Sequence, residues 1–265
     1  MTDDPLTPLD DAHAAMEAPG AGDAARLRFF DRLADAEVFM LLEEEAKGDQ
    51  ITPMLFPVEG QDFVLIFDLE ERLSRFAGEA AAYGAMSGRA ALGVLAEAGV
   101  GVGLNLDVAP SAMLLPADAV AWLAGTLAEA PEEAQGQITA VAPPQGLPDV
   151  LIEALAAKLG SAAGLASRAY LAQVTYETGM RGHLLAFLGT RPGAEAALAQ
   201  AAREALVFSG IEAGALDVAF LDEGSATAAQ LMAQGLGFEL PEVSVVESQD
   251  RPGPGMDPEK PPILR

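Results

Sequence analysis

The sequence predicts a two-domain α+β protein, with an N-terminal α/β domain around a mixed sheet and a C-terminal ferredoxin-like split βαβ sandwich. Three observations support this fold class. The chain has 265 residues, enough for two ordinary hydrophobic cores. Strand-like and helix-like runs are mixed along both halves. Between them, PEEAQGQ at 131–137 contains Pro, Gly and charge without apolar periodicity, so we expect domains at 1–131 and 137–240 and a tail at 241–265.

The first domain opens with a predicted helix in which Thr7 is the N-cap and Pro8 is the first helical residue. Strands are predicted at 37–42, 51–58 and 62–67. The run FVLIF in the last of these is apolar throughout, as expected of a central strand buried on both faces. Further helices are predicted at 68–76, 87–97 and 116–130.

Asp68 is a candidate cap for the helix DLEERLSRF. Its carboxylate can accept hydrogen bonds from the free amides of the first turn, and Glu71 lies three residues later, as in a capping box. Leu69, Leu73 and Phe76 recur at helical spacing and predict one apolar side for this helix. Asp68 is also counted among the candidate binding residues.

The segment GVGVGLNLD at 99–107 resembles the start of a dinucleotide-binding loop. The fingerprint of such a loop needs a third glycine at position 104, which here is Leu, and a helix directly after it. A Pro-Ser turn and another strand-like run follow instead, so no helix N-terminus is available for a pyrophosphate. Aliphatic residues alternate with small ones at the period of a strand. We therefore predict a β-strand whose bare face lets a neighbour approach closely.

The second domain has predicted elements in the order strand, helix, strand, strand, helix, strand, which is that of a ferredoxin-like split βαβ sandwich. The corresponding segments are 137–142, 148–159, 167–176, 182–188, 193–208 and 216–221. An additional helix at 225–234 has Ser225 as its N-cap and Gly235 at its end. The acidic, Pro-rich tail from 241 is predicted to be disordered.

Composition and charge exclude several classes of function. The formal net charge is -25, and no Lys or Arg occurs between Arg89 and Lys158, so the chain would repel nucleic acid and anionic membrane surfaces. The sequence has no cysteine, which excludes disulfides, thiolate nucleophiles and iron–sulfur clusters. The amino terminus lacks the features of a secretory signal, and no apolar run approaches the length of a bilayer span. We expect a cytoplasmic protein without a cofactor.

Few residues suggest catalysis or metal binding. His13 and His183 each lack a second ligand in their own element. The carboxylates of the acidic run at 43–45 point in different directions, as in a solvated loop. No residue is therefore assigned to catalysis or to a metal.

The end of the predicted strand at 99–107 holds the candidate binding residues. Asn105, Asp107 and Ser111 lie where ligand sites form in many α/β proteins. The alternative is that they are turn formers, which hydrogen-bond their own backbone. Trp122, the only tryptophan, is either a contact anchor or a residue at the edge of the core, and we expect it to be buried.

Several segments resemble the SseB (enhanced serine sensitivity protein B) family. TPLDDAHAAM, RLRFFDRLADAEVFMLL, DFVLIFDLEERLSRF and AMLLPADAVAWL are similar to its N-terminal domain. AYLAQVTYETGMRGHLLAFLG at 169–189 is similar to its C-terminal domain. The resemblance implies a non-enzymatic role, linked by name to a serine-sensitivity phenotype, with no established reaction.

The leading hypothesis is a non-enzymatic binding or interaction module, regulatory or scaffolding, whose protein partner presents an apolar or basic surface to the acidic chain. The alternatives are a small hydrolase or transferase that uses carboxylates, and a sensor of a small metabolite. A deep pocket with two close carboxylates would favour the enzyme, whereas a shallow exposed patch would favour the module.

Overall fold

The fold is that of a computed structural model, which describes residues 6–46, 48, 50–128, 136–210 and 216–241. In these ranges the chain forms two β-sheets, each with helices packed on both faces. The predicted α+β class and the mixed N-terminal sheet are confirmed. The predicted boundary at 131–137 and the predicted tail lie almost wholly outside the described residues.

The first sheet and its helices are built from the N-terminal half. Its elements are α1 (Pro8–Glu17), α2 (Asp23–Asp35), β1 (Glu37–Leu41), β2 (Leu55–Val58), β3 (Gln61–Phe67), α3 (Glu70–Ala77), β4 (Tyr83–Ser87), α4 (Gly88–Ala98), β5 (Gly101–Leu104), β6 (Met113–Leu115) and α5 (Ala117–Ala128). The strands lie in the order β4-β1-β3-β5-β6, and β2 pairs with the first part of β3. β3 and β5 run parallel, whereas the other pairings described in this sheet are antiparallel.

The apolar run in β3 is buried on both faces of the first sheet, as predicted. Val64 and Ile66 belong to the core beneath α1, α2, α4 and α5, whereas Leu65 and Phe67 face α3. The first helix also begins as predicted, since Thr7 and Asp10 form a reciprocal capping box. β2 is shorter than the strand predicted at 51–58, of which it covers the last four residues.

β5 confirms that GVGVGLNLD contains a strand. Val102 and Leu104 are fully buried in the core, and the chain turns directly into β6 without a helix. On the bare face, a Cβ at Gly101 would lie 2.5 Å from the ring of Phe63 and 2.8 Å from the carbonyl oxygen of Leu115. The glycine is therefore required by close packing.

The second sheet is built from the C-terminal half. Its elements are β7 (Ile138–Ala142), α6 (Asp149–Ser161), β8 (Arg168–Tyr176), β9 (Arg181–Leu188), α7 (Glu195–Phe208), β10 (Leu216–Leu221), α8 (Ala226–Gln234) and β11 (Leu236–Glu239). The strands lie in the order β10-β9-β8-β11, and β7 pairs with the other end of β8. α6 and α7 cover one face, and α8 covers part of the other.

The predicted ferredoxin-like split βαβ topology is wrong, although the predicted order of elements is present. A split βαβ unit has another strand between its two parallel strands. Here β9 and β10 are direct parallel neighbours connected through α7, and β7 pairs antiparallel with β8. The added strand β11 takes the place beside the first part of β8. The sequence order of helices and strands is compatible with both arrangements, because strand neighbours depend on long-range contacts.

The two halves share a contact through α7. Phe208, the last residue of α7, is 1% exposed and belongs to the core of the first sheet. α7 also lies against α2. Within the described ranges, every helix is too short or too polar to cross a bilayer.

Candidate functional site

Six polar side chains meet at the edge of the first sheet where β3 and β5 end. Because these strands are parallel neighbours, the residues that follow them, Asp68 and Asn105, lie side by side. The backbone N–H of Asp68 donates to Oδ1 of Asn105 at 3.1 Å. We call the set the Arg72 cluster, and its members are Thr7, Asp10, Asp68, Arg72, Asn105 and Ser111.

Arg72 is the cation at the centre of this cluster. Its side chain is 1% exposed and lies one helical turn after Asp68. The guanidinium donates to Oδ2 of Asp10 at 2.5 Å and to Oδ1 of Asp68 at 2.8 Å. A buried charge is tolerated only when it is paired. The two ion pairs therefore hold α1 against the start of α3.

Asp68 does not cap α3, contrary to the prediction. The N-cap is Leu69, and no side chain caps this helix. The Asp68 carboxylate pairs with Arg72 and accepts a hydrogen bond from Oγ1 of Thr7 at 2.6 Å. The carboxylate is therefore bound by Thr7 and Arg72 and not by the free amides of the first turn.

Asn105 and Ser111 complete the cluster from the turn between β5 and β6, and both are 0% exposed. Asn105 has φ 47°, in the left-handed region that Asn adopts more readily than most residues. Its Nδ2 donates to Oγ of Ser111 at 2.9 Å, and that hydroxyl donates to Oδ1 of Asp10 at 2.6 Å. The two side chains thus join the turn to α1, beyond the local role of turn formers.

Hydrogen bonding controls the protonation of Asp10. Burial by itself raises the pKa of this carboxyl, but hydrogen bonds from Arg72, Ser111 and the backbone of Thr7 outweigh burial and lower the pKa to about 2. The carboxylate is therefore ionised at neutral pH. The side chains of Asp10, Asp68 and Arg72 are at most 4% exposed, so the cluster connects segments of the fold and is closed to a substrate.

Two predicted site residues lie outside the Arg72 cluster. Asp107 is exposed, with φ 60°. Trp122 is 49% exposed, so the prediction that it is buried is wrong. α5 turns Leu123 to the core, and Trp122 lies about 100° away around the helix, at the boundary with solvent. Its ring meets that of Phe30 edge-on, with centroids 6.2 Å apart.

A second, partly buried cluster lies where α2, α4, α6 and α7 meet, and nothing in the sequence analysis predicts it. Nζ of Lys158 lies 2.7 Å from a carboxylate oxygen of Asp31, 2.7 Å from one of Asp35 and 3.0 Å from Oε2 of Glu204. Arg89 pairs with the other oxygen of Glu204 at 2.5 Å. We call Asp31, Asp35, Arg89, Lys158 and Glu204 the Lys158 cluster, and it joins the two halves of the chain.

The charged groups in the Lys158 cluster shift one another's pKa values. Burial alone raises the pKa of Glu204, but the hydrogen bond from Arg89 and the charge of Lys158 outweigh it and lower the pKa to about 2. Burial lowers the pKa of Lys158, but the charges of Asp31 and Asp35 more than compensate, and the pKa is raised. Burial raises the pKa of Asp31 in spite of Lys158. Lys158 is therefore held in its charged form.

An open cleft of about 330 Å³ lies beside the Lys158 cluster. Its polar lining comes from Asp35, Arg89, Lys158, Ser161, Gln200 and Glu204. These charged groups already pair with one another inside the cleft. Within the described residues, no group of three or more His, Asp or Glu side chains is arranged to hold a metal ion.

Two signals in the sequence point to members of these clusters. Arg72 follows Asp68 at the four-residue spacing of a helical ion pair. Lys158 lies at helical spacing from Leu151 and Leu155, on the apolar stripe of α6, where a cation is rarely found without a buried partner. No local pattern joins Asp10 to Arg72, because 62 positions separate them.

Comparison with known proteins identifies the N-terminal half. Residues 9–122 match the family described as SseB protein N-terminal domain. This stretch contains the first sheet and every member of the Arg72 cluster except Thr7. The match does not reach 169–189, so the likeness of that segment to an SseB C-terminal domain stays a prediction. No curated protein and no solved structure matches the chain. The resemblance seen in the N-terminal segments is confirmed, and residues 9–122 are an SseB protein N-terminal domain.

Proposed function

We propose that this protein is a non-enzymatic interaction module that binds a partner protein through the helix face around Trp122. The observation that carries the proposal is the position of Trp122, the only tryptophan, whose side chain is 49% exposed against Phe30. A tryptophan at such a boundary buries a large apolar area when a partner covers it, and tryptophan is enriched among the anchors of protein interfaces.

The surroundings of Trp122 favour an apolar or basic partner. The exposed residues beside it on α5 are small or acidic, namely Asp118, Ala121 and Gly125. Small side chains let a partner approach the flanks of the indole ring. Asp118 and the net charge of -25 attract cations. The expected partner surface therefore combines an apolar contact for the ring with Lys or Arg at its rim. Binding of this kind suits a regulatory or scaffolding role.

The carboxylates of Asp10, Asp68 and Glu204 support a module over a carboxylate-based hydrolase or transferase. Those of the Arg72 cluster are buried and paired. In the open cleft, Arg89 and Lys158 keep Glu204 ionised, with its pKa lowered to about 2, and such a group is a poor proton donor at neutral pH. A metabolite sensor would use the same cleft, so the experiment must separate a protein partner from a small molecule.

Affinity capture from native lysate, followed by mass spectrometry, tests the proposal. We expect the wild-type chain to retain a stoichiometric protein partner and Trp122→Ala to lose it. Met180→Ala is the matched control, because Met180 is 67% exposed in the turn between β8 and β9, on a different element from Trp122. This control should capture the partner as the wild type does.

Two outcomes contradict the proposal. One is capture of the same partner, in equal yield, by Trp122→Ala. The other is a co-purifying small molecule without a protein partner, which would favour the sensor or the enzyme. A direct titration gives a second readout, because the fluorescence of the sole tryptophan should shift to shorter wavelength when the purified partner is added to the wild-type chain.

A further inference from the structure

β10 forms one edge of the second sheet. It pairs with β9 in an unbroken parallel register, from Leu216 opposite His183 to Leu221 opposite Leu188. No strand in the described ranges pairs with its outer side. Backbone–backbone hydrogen bonds beyond the β9 ladder involve none of residues 216–221, as far as the described residues extend. Alternate N–H and C=O groups of β10 therefore face away from the sheet.

The burial of β10 agrees with an uncovered edge. Each of its six residues is partly exposed, whereas residues 184–188 of the neighbouring β9 are all buried. Its side chains are nevertheless apolar with a single exception, since the strand reads LDVAFL. An apolar edge strand of this length is a template for pairing with another strand.

The other edge strands of the described sheets have features that hinder such pairing. β2 contains Pro57, β4 contains Gly84, and β7 has a register irregularity. β6 has three residues and β11 has four. β10 has six residues, with no Pro, Gly, Lys or bulge. Proteins commonly protect their edge strands with such features, and β10 lacks them.

Charge decides which kind of strand can pair with this edge. Asp217 accepts a hydrogen bond from the hydroxyl of Tyr176 at 2.5 Å, and Asp222 and Glu223 are exposed directly after the strand. The whole chain carries a net charge of -25. A second copy of the chain would be repelled, whereas a basic segment would be attracted.

We propose that the outer edge of β10 binds an extended basic segment of a partner protein by strand addition. Side chains on the two faces of an added strand alternate. Residues next to Leu216, Val218 and Phe220, on the face of α6 and α7, should be apolar, and the residue next to Asp217 on the other face should be Lys or Arg. Main-chain hydrogen bonds supply affinity in this mode, and the alternating side chains supply specificity. This edge is separate from the helix face around Trp122, so either proposal can be wrong without affecting the other.

A peptide of alternating Lys and Val, six residues long with blocked termini, is the probe for the full-length chain. Two N-methylated isomers are its matched controls, one methylated at every Lys amide and the other at every Val amide. All Lys amides of an extended strand point to one side and all Val amides to the other. For a given strand direction with Val on the face of α6 and α7, one isomer therefore keeps the hydrogen bonds to β10 and the other loses them, although charge and side chains are the same.

Strand addition predicts that the parent peptide and one isomer bind equally, while the other isomer binds about tenfold more weakly or worse. Amide hydrogen exchange within residues 216–221 should slow when the parent peptide is bound. Asp222→Asn combined with Glu223→Gln should weaken binding severalfold, whereas the exposed pair Glu97→Gln with Asp107→Asn should leave it unchanged.

Three results would overturn this proposal. Equal binding of both isomers would show attraction by charge alone. Absence of binding by the parent peptide would show that the edge does not accept a basic strand. Sedimentation of the free chain as a dimer, with residues 216–221 protected from exchange, would show that a second copy occupies the edge. Loss of the Trp122-dependent partner affects none of these readouts.

Discussion

Arg72 and Asp10 form a buried ion pair across 62 positions of the sequence, with both side chains 1% exposed. The pair fixes the first helix of the protein to the helix that follows β3. A buried ion pair adds little net stability compared with a well-packed apolar pair, but removal of one partner leaves an uncompensated charge in the interior. The position of α1 therefore depends on both residues together.

Replacement of Arg72 by Met should lower the free energy of unfolding by about 3–5 kcal/mol, because Asp10 and Asp68 lose their shared cation in a buried site. Arg72→Lys keeps the charge but not the bidentate geometry of the guanidinium, so the decrease in the free energy of unfolding should be smaller. Denaturant unfolding followed by circular dichroism measures both values. Equal midpoints for wild type and Arg72→Met would show that the pair does not stabilise the fold.

Two glycines of α4 should respond in opposite directions to the same substitution. A Cβ at Gly88 would lie 1.8 Å from the carbonyl oxygen of Leu33 in α2, so Gly88→Ala forces two helices apart and should cost about 1–3 kcal/mol or more. Gly93 has nothing within 4 Å of that position, and Gly93→Ala should stabilise the helix by about 0.5–1 kcal/mol. Thermal unfolding distinguishes the pair; melting temperatures that move together would contradict the packing of α2 on α4.

Gly101→Val tests the packing of β5. The new side chain would collide with the ring of Phe63 and the backbone of Leu115, and overpacking of this kind costs about 1–3 kcal/mol. Wild-type protein should show no thermal shift with NAD, NADP, ATP or GTP. A ligand at 100 times its dissociation constant would add about 2.7 kcal/mol. A nucleotide-dependent shift that Gly101→Val abolishes would contradict a purely structural strand.

Acid should weaken the fold through Asp10 and Glu204. Their pKa values are lowered from 3.8 and 4.5, respectively, to about 2 in the folded chain. A lowered carboxyl pKa contributes stability that is present above the unfolded value and is lost as the pH falls through the folded value. This contribution should therefore disappear between about pH 4.5 and pH 2. The raised pKa of Asp31 acts in the opposite sense, since its contribution is lost as the pH rises.

A pH series of unfolding midpoints checks this dependence with two variants. Glu204→Gln should make the decline below pH 4.5 shallower than in the wild type. Glu97→Gln, at an exposed position on α4, is the control and should follow the wild-type curve. If the Glu204→Gln curve is parallel to that of the wild type, groups other than Glu204 cause the acid sensitivity.

Local chemistry in the sequence predicts most helices and strands of this protein, but not which strands are neighbours. Thr7 and Pro8 mark a helix start because capping acts within four residues. The alternation around Val102 marks a strand because a pleat repeats every second residue. The pairing of β10 with β9 has no such local determinant, and for this reason the predicted sandwich topology is wrong while its elements are present.

The sequence likewise predicts only some of the side chains that meet in the Arg72 cluster. Asp68, Asn105 and Ser111 are singled out by sequence for their turn and cap chemistry, and the fold then brings all three together. Asp10 joins the group through its contact with Arg72 across 62 positions, which no spacing rule covers. For Trp122 the local pattern is misleading. An apolar residue in an apolar helix suggests burial, but the angular position of Trp122 around α5 leaves about half of its side chain exposed to solvent.

Phe208 sets a limit on how the two halves of this chain can be exchanged. It belongs to α7, yet it completes the core of the first sheet together with Leu123 and Leu127, and all three residues lie beyond the family match at 9–122. The family match therefore ends before some of the residues that fill the core of the first sheet. In a chimaera that joins this half to the second half of another family member, the core of the first sheet has a cavity at the position of Phe208 unless the incoming helix ends in a bulky apolar residue. Such a chimaera also leaves Asp31 without its cation, and Asp35 with Arg89 alone, unless a lysine arrives with the incoming half. Exchange of either half alone therefore requires compensating residues on both sides of the junction.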